Sequence, residues 1–358
     1  MNVFDRISPD GYEQVVFCHD QSTGLRAIIA IHSTRLGPAL GGTRFYPYAS
    51  EDLALEDVLR LARGMTYKAS VAGLDLGGGK AVILGDPATH KAEGLLRAYG
   101  RFVEALGGRY VTAEDVGTTQ ADMDLIRRET TRVTGVSIEL GGSGDPSAAT
   151  AYGLLWAMKA VTARLWGDVS LDGKHVVVSG VGKVGSNLVA LLAAENARIT
   201  VADVVPAAVQ RMVDQHGVAE TPVGTAHAVS CDIFSPCALG GILDQSRIPE
   251  MQCAAVVGSA NNQLADPSCG KILAEAGIVY GPDYVVNAGG LINIAEELSP
   301  RGHHQERAYA AVRRIYETTS TVLNTAEVEG ITTAEAADRM AERRMDEVGH
   351  VRRIRTFG

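Results

Sequence analysis

The run Lys174-His-Val-Val-Val-Ser-Gly-Val-Gly-Lys-Val-Gly185 decides the fold. Its first half is a short apolar stretch of the kind that a parallel strand buried on both faces produces. Its second half, Gly180-Val181-Gly182-Lys183-Val184-Gly185, has the GxGxxG spacing and opens an apolar helix through Leu188, Leu191 and Leu192. Gly180 permits a tight turn, Gly182 lets backbone approach a pyrophosphate, and Gly185 lets the helix pack on the strand, while the helix N-terminus favours the anion. The next strand, Arg198-Ile-Thr-Val-Ala, leads to Asp203 and Val204, and Asp203 stands 23 residues after Gly180. A carboxylate there accepts hydrogen bonds from the adenosine ribose hydroxyls and repels a 2′-phosphate, so the expected cofactor is NAD rather than NADP.

Working outward, Cys231-Asp-Ile-Phe, Ala254-Ala-Val-Val-Gly and Gly277-Ile-Val-Tyr read as further buried strands of one parallel sheet, and Ala148 to Trp166 reads as a long helix leading into it. Trp156 and Met158 on that helix read as core. Ahead of it, Gly141-Gly-Ser-Gly-Asp-Pro-Ser147 supplies a bend between two periodic regions. The N-terminal half opens with a hairpin, Glu13-Gln-Val-Val-Phe-Cys and Leu25-Arg-Ala-Ile-Ile-Ala-Ile. Ser50 is a plausible N-cap for a helix carrying Leu55, Val58, Leu59, Ala62 and Met65 at helical spacing. Strands at Ala81-Val-Ile-Leu and Tyr110-Val-Thr then alternate with helices over 92–106 and 121–128. The fold class is therefore α/β with two domains, a mixed-sheet N-terminal domain and a Rossmann dinucleotide-binding domain. The final sixty or so residues read as helices, and their charge run from Arg343 to Arg355 as a solvated helical face.

Composition narrows the partners. The 358 residues are 46% apolar, with 33 Lys plus Arg against 42 Asp plus Glu and a net charge of -9. That charge repels a polyanion, so nucleic acid is not expected. No run approaches the ~18 apolar residues of a membrane span, and the start lacks the apolar stretch of a signal peptide. The five cysteines, Cys18, Cys231, Cys237, Cys253 and Cys269, form no CxxC pair, which suits a reduced, cytoplasmic protein. His32, His175 and His303-His304 lack Cys or acidic neighbours at metal spacing, so no metal is expected.

A second glycine run, Gly77-Gly-Gly-Lys80-Ala81, fails the phosphate-loop template because residue 74 is Leu and residue 81 is Ala. Lys68 and Lys80 stand instead in glycine-rich, apolar surroundings, where an ammonium is costly. If both face one site, like-charge proximity and desolvation favour a neutral amine able to act as a general base, with the other lysine an anion anchor. Asp115, at a strand end beside Gly117, could balance them and shuttle a proton. By residue type alone, two surface lysines and a helix-entry aspartate explain the same stretches.

Seven motifs bear on that choice: Leu36-Gly-Pro-Ala-Leu-Gly-Gly-Thr-Arg44, Gly64-Met-Thr-Tyr-Lys68, Gly77-Gly-Gly-Lys80, Thr112-Ala-Glu-Asp-Val-Gly-Thr-Thr119, Gly180 to Gly185, Ala260-Asn-Asn-Gln-Leu264 and Pro282-Asp-Tyr-Val-Val-Asn-Ala-Gly-Gly290. In them the sequence resembles the glutamate, leucine, phenylalanine and valine dehydrogenase family, most closely its leucine and valine branch, over about residues 10–345. The resemblance implies reversible oxidative deamination of an L-amino acid by NAD and water to a 2-oxo acid, ammonium and NADH. It implies that Lys68 and Asn262 hold the substrate carboxylate, that Lys80 is the base that activates water, and that Asp115 moves protons to and from the substrate nitrogen. Ser147 and Thr150 then approach the nicotinamide, and Ala238, Leu239, Ala260, Asn261 and Asn262 line the cofactor site. It further implies a homo-oligomer with a cleft between domains that closes on substrate. Residues 1–140 are the expected substrate domain, 141–329 the NAD-binding domain, and the helices from about 330 to 358 pack back on the first.

By the same resemblance, Leu40, Gly41, Gly42, Ala113, Thr134, Leu291 and Ile294 wall the substrate side chain. Glutamate-specific relatives place a lysine near Leu40, and a buried carboxylate against Leu40 would lack a partner. An apolar substrate, leucine or valine, is expected, with phenylalanine or tryptophan as the alternative. Leu291 and Ile294, where leucine enzymes often carry valine, shrink the pocket toward valine. Asp145 departs from the Asn common in leucine enzymes. A rival class is a catalytically silent NAD-binding regulatory protein, which needs neither the lysine pair nor Asp115. A hydroxy-acid dehydrogenase wants a His beside an Arg, and no such pair stands out.

Overall fold

The structure, a computed structural model, describes residues 3–351. They divide into two compact units: the described part of Met1–Asp145, Ile294–His304 and Ala341–Gly358, and Pro146–Asn293 with Gln305–Met340.

The first unit is built on a mixed sheet of β1 (Gln14–Asp20), β2 (Leu25–Ser33), β3 (Ala39–Tyr46), β4 (Gly77–Leu84) and β5 (Tyr110–Glu114), in the order β1-β2-β4-β3-β5. The hairpin makes β1–β2 antiparallel, β2–β4 is antiparallel too, and β4–β3–β5 run parallel. Side chains alternate across β2. Ile29 and Ile31 pack with Leu96, Tyr99 and Val103 of α2 (Glu93–Ala105), while Ile28 and Ala30 pack with Leu55, Val58 and Leu59 of α1 (Glu51–Val71). Burial on both faces explains why β2 reads as a continuous apolar run. The Ser50 hydroxyl accepts a hydrogen bond from Leu53 N and caps α1, as the sequence predicts.

Parity on β4 and β3 fixes which way the chemistry points. Val82 packs with α1, and Ala81 and Ile83 pack with α2, so Lys80 and Gly78 share the α1 face. A Cβ at Gly78 would overlap the backbone N of Thr66 in α1, so only glycine lets that helix lie so close. Lys68 lies two residues beyond Thr66, and Lys80 two beyond Gly78.

The second unit contains a parallel sheet of β6 (His175–Ser179), β7 (Arg198–Ala202), β8 (Ala219–Glu220), β9 (Cys231–Pro236), β10 (Cys253–Val256) and β11 (Val279–Tyr280), in the order β11-β10-β9-β6-β7-β8. Helix α3 (Ser147–Trp166) precedes it and α4 (Lys183–Ala194) follows β6. The strand order reverses between β6 and β9, which is where sheets of this kind bind ligands, outside the C-terminal strand ends. All five cysteines are free thiols. Among the described residues no helix is long and apolar enough to cross a membrane.

Four details differ from the sequence reading. The divide falls at Asp145/Pro146 rather than after residue 140. Ile294–His304 belongs with the first unit because Glu297 accepts hydrogen bonds from Gly135 N, Ser143 N and Ser143 Oγ at 2.9, 2.9 and 2.6 Å. Within α5 (Thr333–Gly349), the return to the first unit begins at Ala341 rather than near residue 330, because Asp338 is bonded by Tyr284 OH of the second unit. The charge run is also not uniformly solvated: Arg344 donates to Leu74 O at 2.7 Å and pairs with Asp75, leaving its side chain 23% exposed. The part of that run, and of the expected C-terminal helices, over residues 352–358 lies outside the described residues.

The Gly78–Thr66 approach yields a stability prediction. Gly78→Ala should destabilise the protein by about 2–3 kcal/mol, because main chain on both sides cannot yield as a side chain would. Urea unfolding of the variant against the parent checks it; an unchanged midpoint would refute the tight contact.

Candidate active site

In the first unit, Lys80 projects from β4 with its side chain 8% exposed, and its Nζ lies 2.5 Å from Asp115 Oδ2. The charge set against Lys80 is thus the carboxylate of Asp115, the residue that the sequence offers as a counter-charge to the two lysines. Asp115 follows β5 directly, in a turn pinned to β3. Phe45 N donates to Val116 O at 2.8 Å, Asp115 N donates to Thr118 Oγ1 at 2.9 Å, and the Thr118 hydroxyl donates to Thr43 O. Gly117 adopts φ +81°, and a side chain there would overlap Phe45 O. Burial alone would raise the Asp115 carboxyl. The charges of Lys80 and then Arg44, with the Lys80 hydrogen bond and Val116 N–H, hold it below the usual carboxylate range.

Glycines make the room. A Cβ on Gly42 would come within 2.9 Å of Asp115 Cβ, and one on Gly41 would overlap Gly79 O. Leu40, on the same β3 face as Gly42 by alternation, is fully buried, as are Ala113 and Thr134, whose hydroxyl donates to Thr112 O. Lys68, half-buried, occupies the last turn of α1. That turn is anchored by Tyr67 OH to Glu342 and Ser70 Oγ to Ala341 O. The first unit therefore holds Lys68, Lys80, Asp115, Leu40, Gly41, Gly42, Ala113, Thr134 and Ile294.

Sequence reasoning missed one neighbour. Arg44 lay inside a quoted motif without a role, yet its Nε stands 3.3 Å from Asp115 Oδ2 and its guanidinium 2.9 Å from Asp57. Asp115 lies 71 positions away in sequence. The only advance signal was that Arg44 shares strand parity with Gly42.

The second unit holds the other predicted residues. Gly180 turns with φ +105° and would clash with Ala238 Cβ at 2.7 Å if it bore a side chain. A Cβ on Gly185 would overlap Gly180 O, the helix-on-strand contact expected, whereas Gly182 has nothing within 4 Å. Helix α4 begins at Lys183 with no side-chain cap, and the positive end of its dipole favours an anion there. Asp203 Oδ2 accepts from Val181 N at 2.7 Å and Oδ1 from Val205 N at 2.9 Å, which ties the glycine loop to the β7 end. Val204 and Leu239 are 81% and 82% exposed, two apolar side chains flanking the switch point. An uncapped helix start, open space at Gly182 and an acid at the next strand end fit a dinucleotide.

Ala260, Asn261 and Asn262 form a turn after β10, fixed by Gln263, which is buried and donates to Gly258 O and Ala260 O. Asn262 has φ +52°, and Asn287 Nδ2 donates to Asn261 Oδ1 at 2.9 Å. Thr150 Oγ1 donates to Pro146 O in the first turn of α3, the turn that also carries Ser147, and packs at Gly290. Leu291 lies in helix Gly289–Ala295 and belongs to the second unit, whereas Ile294, three residues on, is grouped with the first.

The family model described as Glu/Leu/Phe/Val dehydrogenase, dimerisation domain, matches residues 12–132, and Glutamate/Leucine/Phenylalanine/Valine dehydrogenase matches 141–211 and 204–352. The leucine dehydrogenase of Geobacillus stearothermophilus is 52% identical over 346 residues, covering 97% of this chain and 94% of that protein. The valine dehydrogenase of Streptomyces virginiae is 53% identical over 341 residues, 94% of each. The crystal structure of L-tryptophan dehydrogenase from Nostoc punctiforme superimposes with a TM-score of 0.85 at 41% identity, covering 97% of this chain and 99% of that one. With its paired lysine and aspartate and its glycine loop, the chain belongs to the glutamate/leucine/phenylalanine/valine dehydrogenase family and is an amino-acid dehydrogenase dependent on a pyridine nucleotide.

Proposed function

We propose that the enzyme catalyses reversible oxidative deamination of a branched-chain L-amino acid, leucine or valine, with NAD and water giving the 2-oxo acid, ammonium, NADH and a proton. The observation that carries this reading is the 2.5 Å Lys80–Asp115 contact in a glycine-framed, nearly buried setting.

Gly180 to Gly185, Asp203, Val204, Ala238, Leu239, Ala260 and Asn261 hold the dinucleotide, and Ser147 and Thr150 serve its nicotinamide end. When bound, the nicotinamide accepts the hydride that leaves the substrate Cα. The chain's own residues do the rest. Lys68 and Asn262 bind the substrate carboxylate and so orient Cα. Asp115 takes a proton from the substrate nitrogen and later returns one to the departing ammonia. Lys80, in its uncharged form, removes a proton from the water that attacks the iminium carbon, and the resulting ammonium is stabilised by Asp115. Asp203 favours NAD because a 2′-phosphate would meet its negative charge.

The apolar Leu40, Ala113, Leu291 and Ile294, with Thr134, bound the side-chain pocket, which disfavours glutamate for want of a cationic partner. Higher identity to leucine and valine enzymes than to the tryptophan enzyme supports the smaller substrates. The free thiols suit a cytoplasmic setting, and the match to a segment described as a dimerisation domain suits a homo-oligomer.

Initial rates with a panel of L-amino acids, NAD and NADP test the whole reading; no turnover of any apolar amino acid would refute it. Lys80→Ala should lower kcat by about 10³-fold while NADH binding, followed by fluorescence, persists; parent-like kcat would remove Lys80 from the base role. Asp203→Ala should weaken NAD about tenfold or more and improve relative use of NADP, allowing that the variant also frees Val181 N. Equal affinities before and after would discard the ribose contact. Leu291→Val with Ile294→Val should shift the leucine-to-valine ratio of kcat/KM toward leucine by up to roughly tenfold; an unmoved ratio would mean these residues do not bound the pocket.

A further inference from the structure

Resting on the proposed deamination, one group near Asp115 has no role in it. Arg44 projects from β3 on the α1 face, two residues after Gly42, the glycine that faces Asp115. Its Nε reaches Asp115 Oδ2 at 3.3 Å, the same oxygen that Lys80 Nζ meets at 2.5 Å. Its other end is clamped. Arg44 Nη1 meets Asp57 Oδ2 of α1 at 2.9 Å, Tyr48 OH donates to that oxygen at 2.6 Å, and Arg60 pairs with Asp57 Oδ1 at 2.9 Å. The side chains of Arg44, Asp115 and Asp57 are 23%, 20% and 14% exposed, so solvent competes weakly for these contacts.

We propose that Arg44 is a positioning residue: a guanidinium clamped by Asp57 that fixes the orientation of the Asp115 carboxylate against Lys80. The geometry explains why one oxygen of Asp115 carries both cations. With Oδ2 held by Lys80 and Arg44, the carboxylate cannot rotate freely, and Oδ1 is presented in a fixed direction for proton exchange with a substrate nitrogen. A lysine at position 44 could keep the charge but could not bridge Asp115 and Asp57 with the same planar fork. The charged groups facing Asp115 are Lys80 from β4 and Arg44 from β3; those facing Arg44 are Asp115, Asp57 and Tyr48. Removal of Arg44 withdraws one of the two cations that hold the carboxyl low, so its titration moves upward in pH.

The test uses the full-length enzyme in oxidative deamination and reductive amination across the pH range, with Arg44→Met, Arg44→Lys, Asp57→Asn and the double variant Arg44→Met with Asp57→Asn, each checked by thermal unfolding. In Arg44→Met, kcat should fall about 10- to 100-fold with the amino-acid and oxo-acid KM changing less, as misorientation without loss of binding predicts. The acid limb of kcat/KM should move to higher pH. Arg44→Lys should restore the limb position but only part of kcat. Asp57→Asn, which leaves the guanidinium but releases its clamp, should lower kcat by a smaller factor, and it keeps the proposal testable if Arg44→Met does not fold. The double variant should lose no more than Arg44→Met alone, because Asp57 acts only through Arg44. A kcat unchanged in Arg44→Met or in Asp57→Asn, a loss carried by KM, a superimposable acid limb, or additive losses in the double variant would each overturn the assignment. Absence of any deamination by the parent enzyme would instead overturn the function on which it rests.

Discussion

Backbone-to-backbone packing at glycine governs where Lys80 and Asp115 of the first unit can stand. At Gly41 and Gly78 the atom that excludes a side chain is main chain, Gly79 O and Thr66 N, and at Gly42 it includes Asp115 Cβ at 2.9 Å. Such contacts cannot be relieved by a rotamer change, and a close-packed interior transmits any shift to its neighbours. Because α1 rests on β4 at Gly78, and because strand parity then sends Lys80 to the α1 face, the lysine has no route to bulk water along its own strand. Its partner must come from another strand end on the sheet. β5, parallel to β3 and ending at Glu114, supplies Asp115 there.

The electrostatics follow from that confinement. An ammonium 8% exposed needs a counter-charge, and the opposed Asp115 needs more than one cation once it too is withdrawn from water. The structure meets this with alternating charges, Lys80, Asp115, Arg44 and Asp57, which sum to zero. Such a chain is poor evidence for stability, since a buried ion pair often does no better than well-packed apolar residues of the same volume. Four charged groups gathered between the sheet and α1, held in place of apolar packing, are better explained by chemistry that needs a proton acceptor and a proton donor in fixed positions.

Legibility in the sequence followed the range of the interaction. The glycine loop, the Ser50 cap and the opening hairpin were readable because each depends on residues a few positions apart. Strand parity of Lys80 was readable once Val82 was known to be core. Arg44 was not, because its two acids come from α1 and from the turn after β5, and nothing local in Thr43-Arg44-Phe45 announces either. The same reason accounts for Ile294–His304 and Arg344. Glu297 and Arg344 find backbone partners more than 150 and 250 residues away, contacts that no periodicity encodes. Residue type alone does not say which charge the sheet brings beside Lys80, since the sequence offers both Lys68 and Asp115. The family motifs carried the functional reading beyond what spacing supports.

The turn after β10 in the second unit shows how a fold can hold an unfavourable backbone at a residue proposed to bind substrate. Asn262 is one of the non-glycine residues at positive φ, a conformation that asparagine tolerates better than most but that still costs of the order of 1 kcal/mol. Local preference does not explain it; its surroundings do. Gln263 is wholly buried and commits its amide to Gly258 O and Ala260 O, Asp283 receives Gln263 N, and Gly241 N donates to Asn262 O at 2.7 Å. Gly240 can be nothing larger, since a Cβ would meet Asn261 O and Asn262 O. Bonds on both sides of Asn262 therefore over-determine its backbone while Asn261 and Asn262 stay exposed at the C-terminal end of the sheet. Rigid backbone with solvent-facing amides is what a ligand-binding turn requires, because the donor groups are already ordered by folding and lose little further entropy on binding.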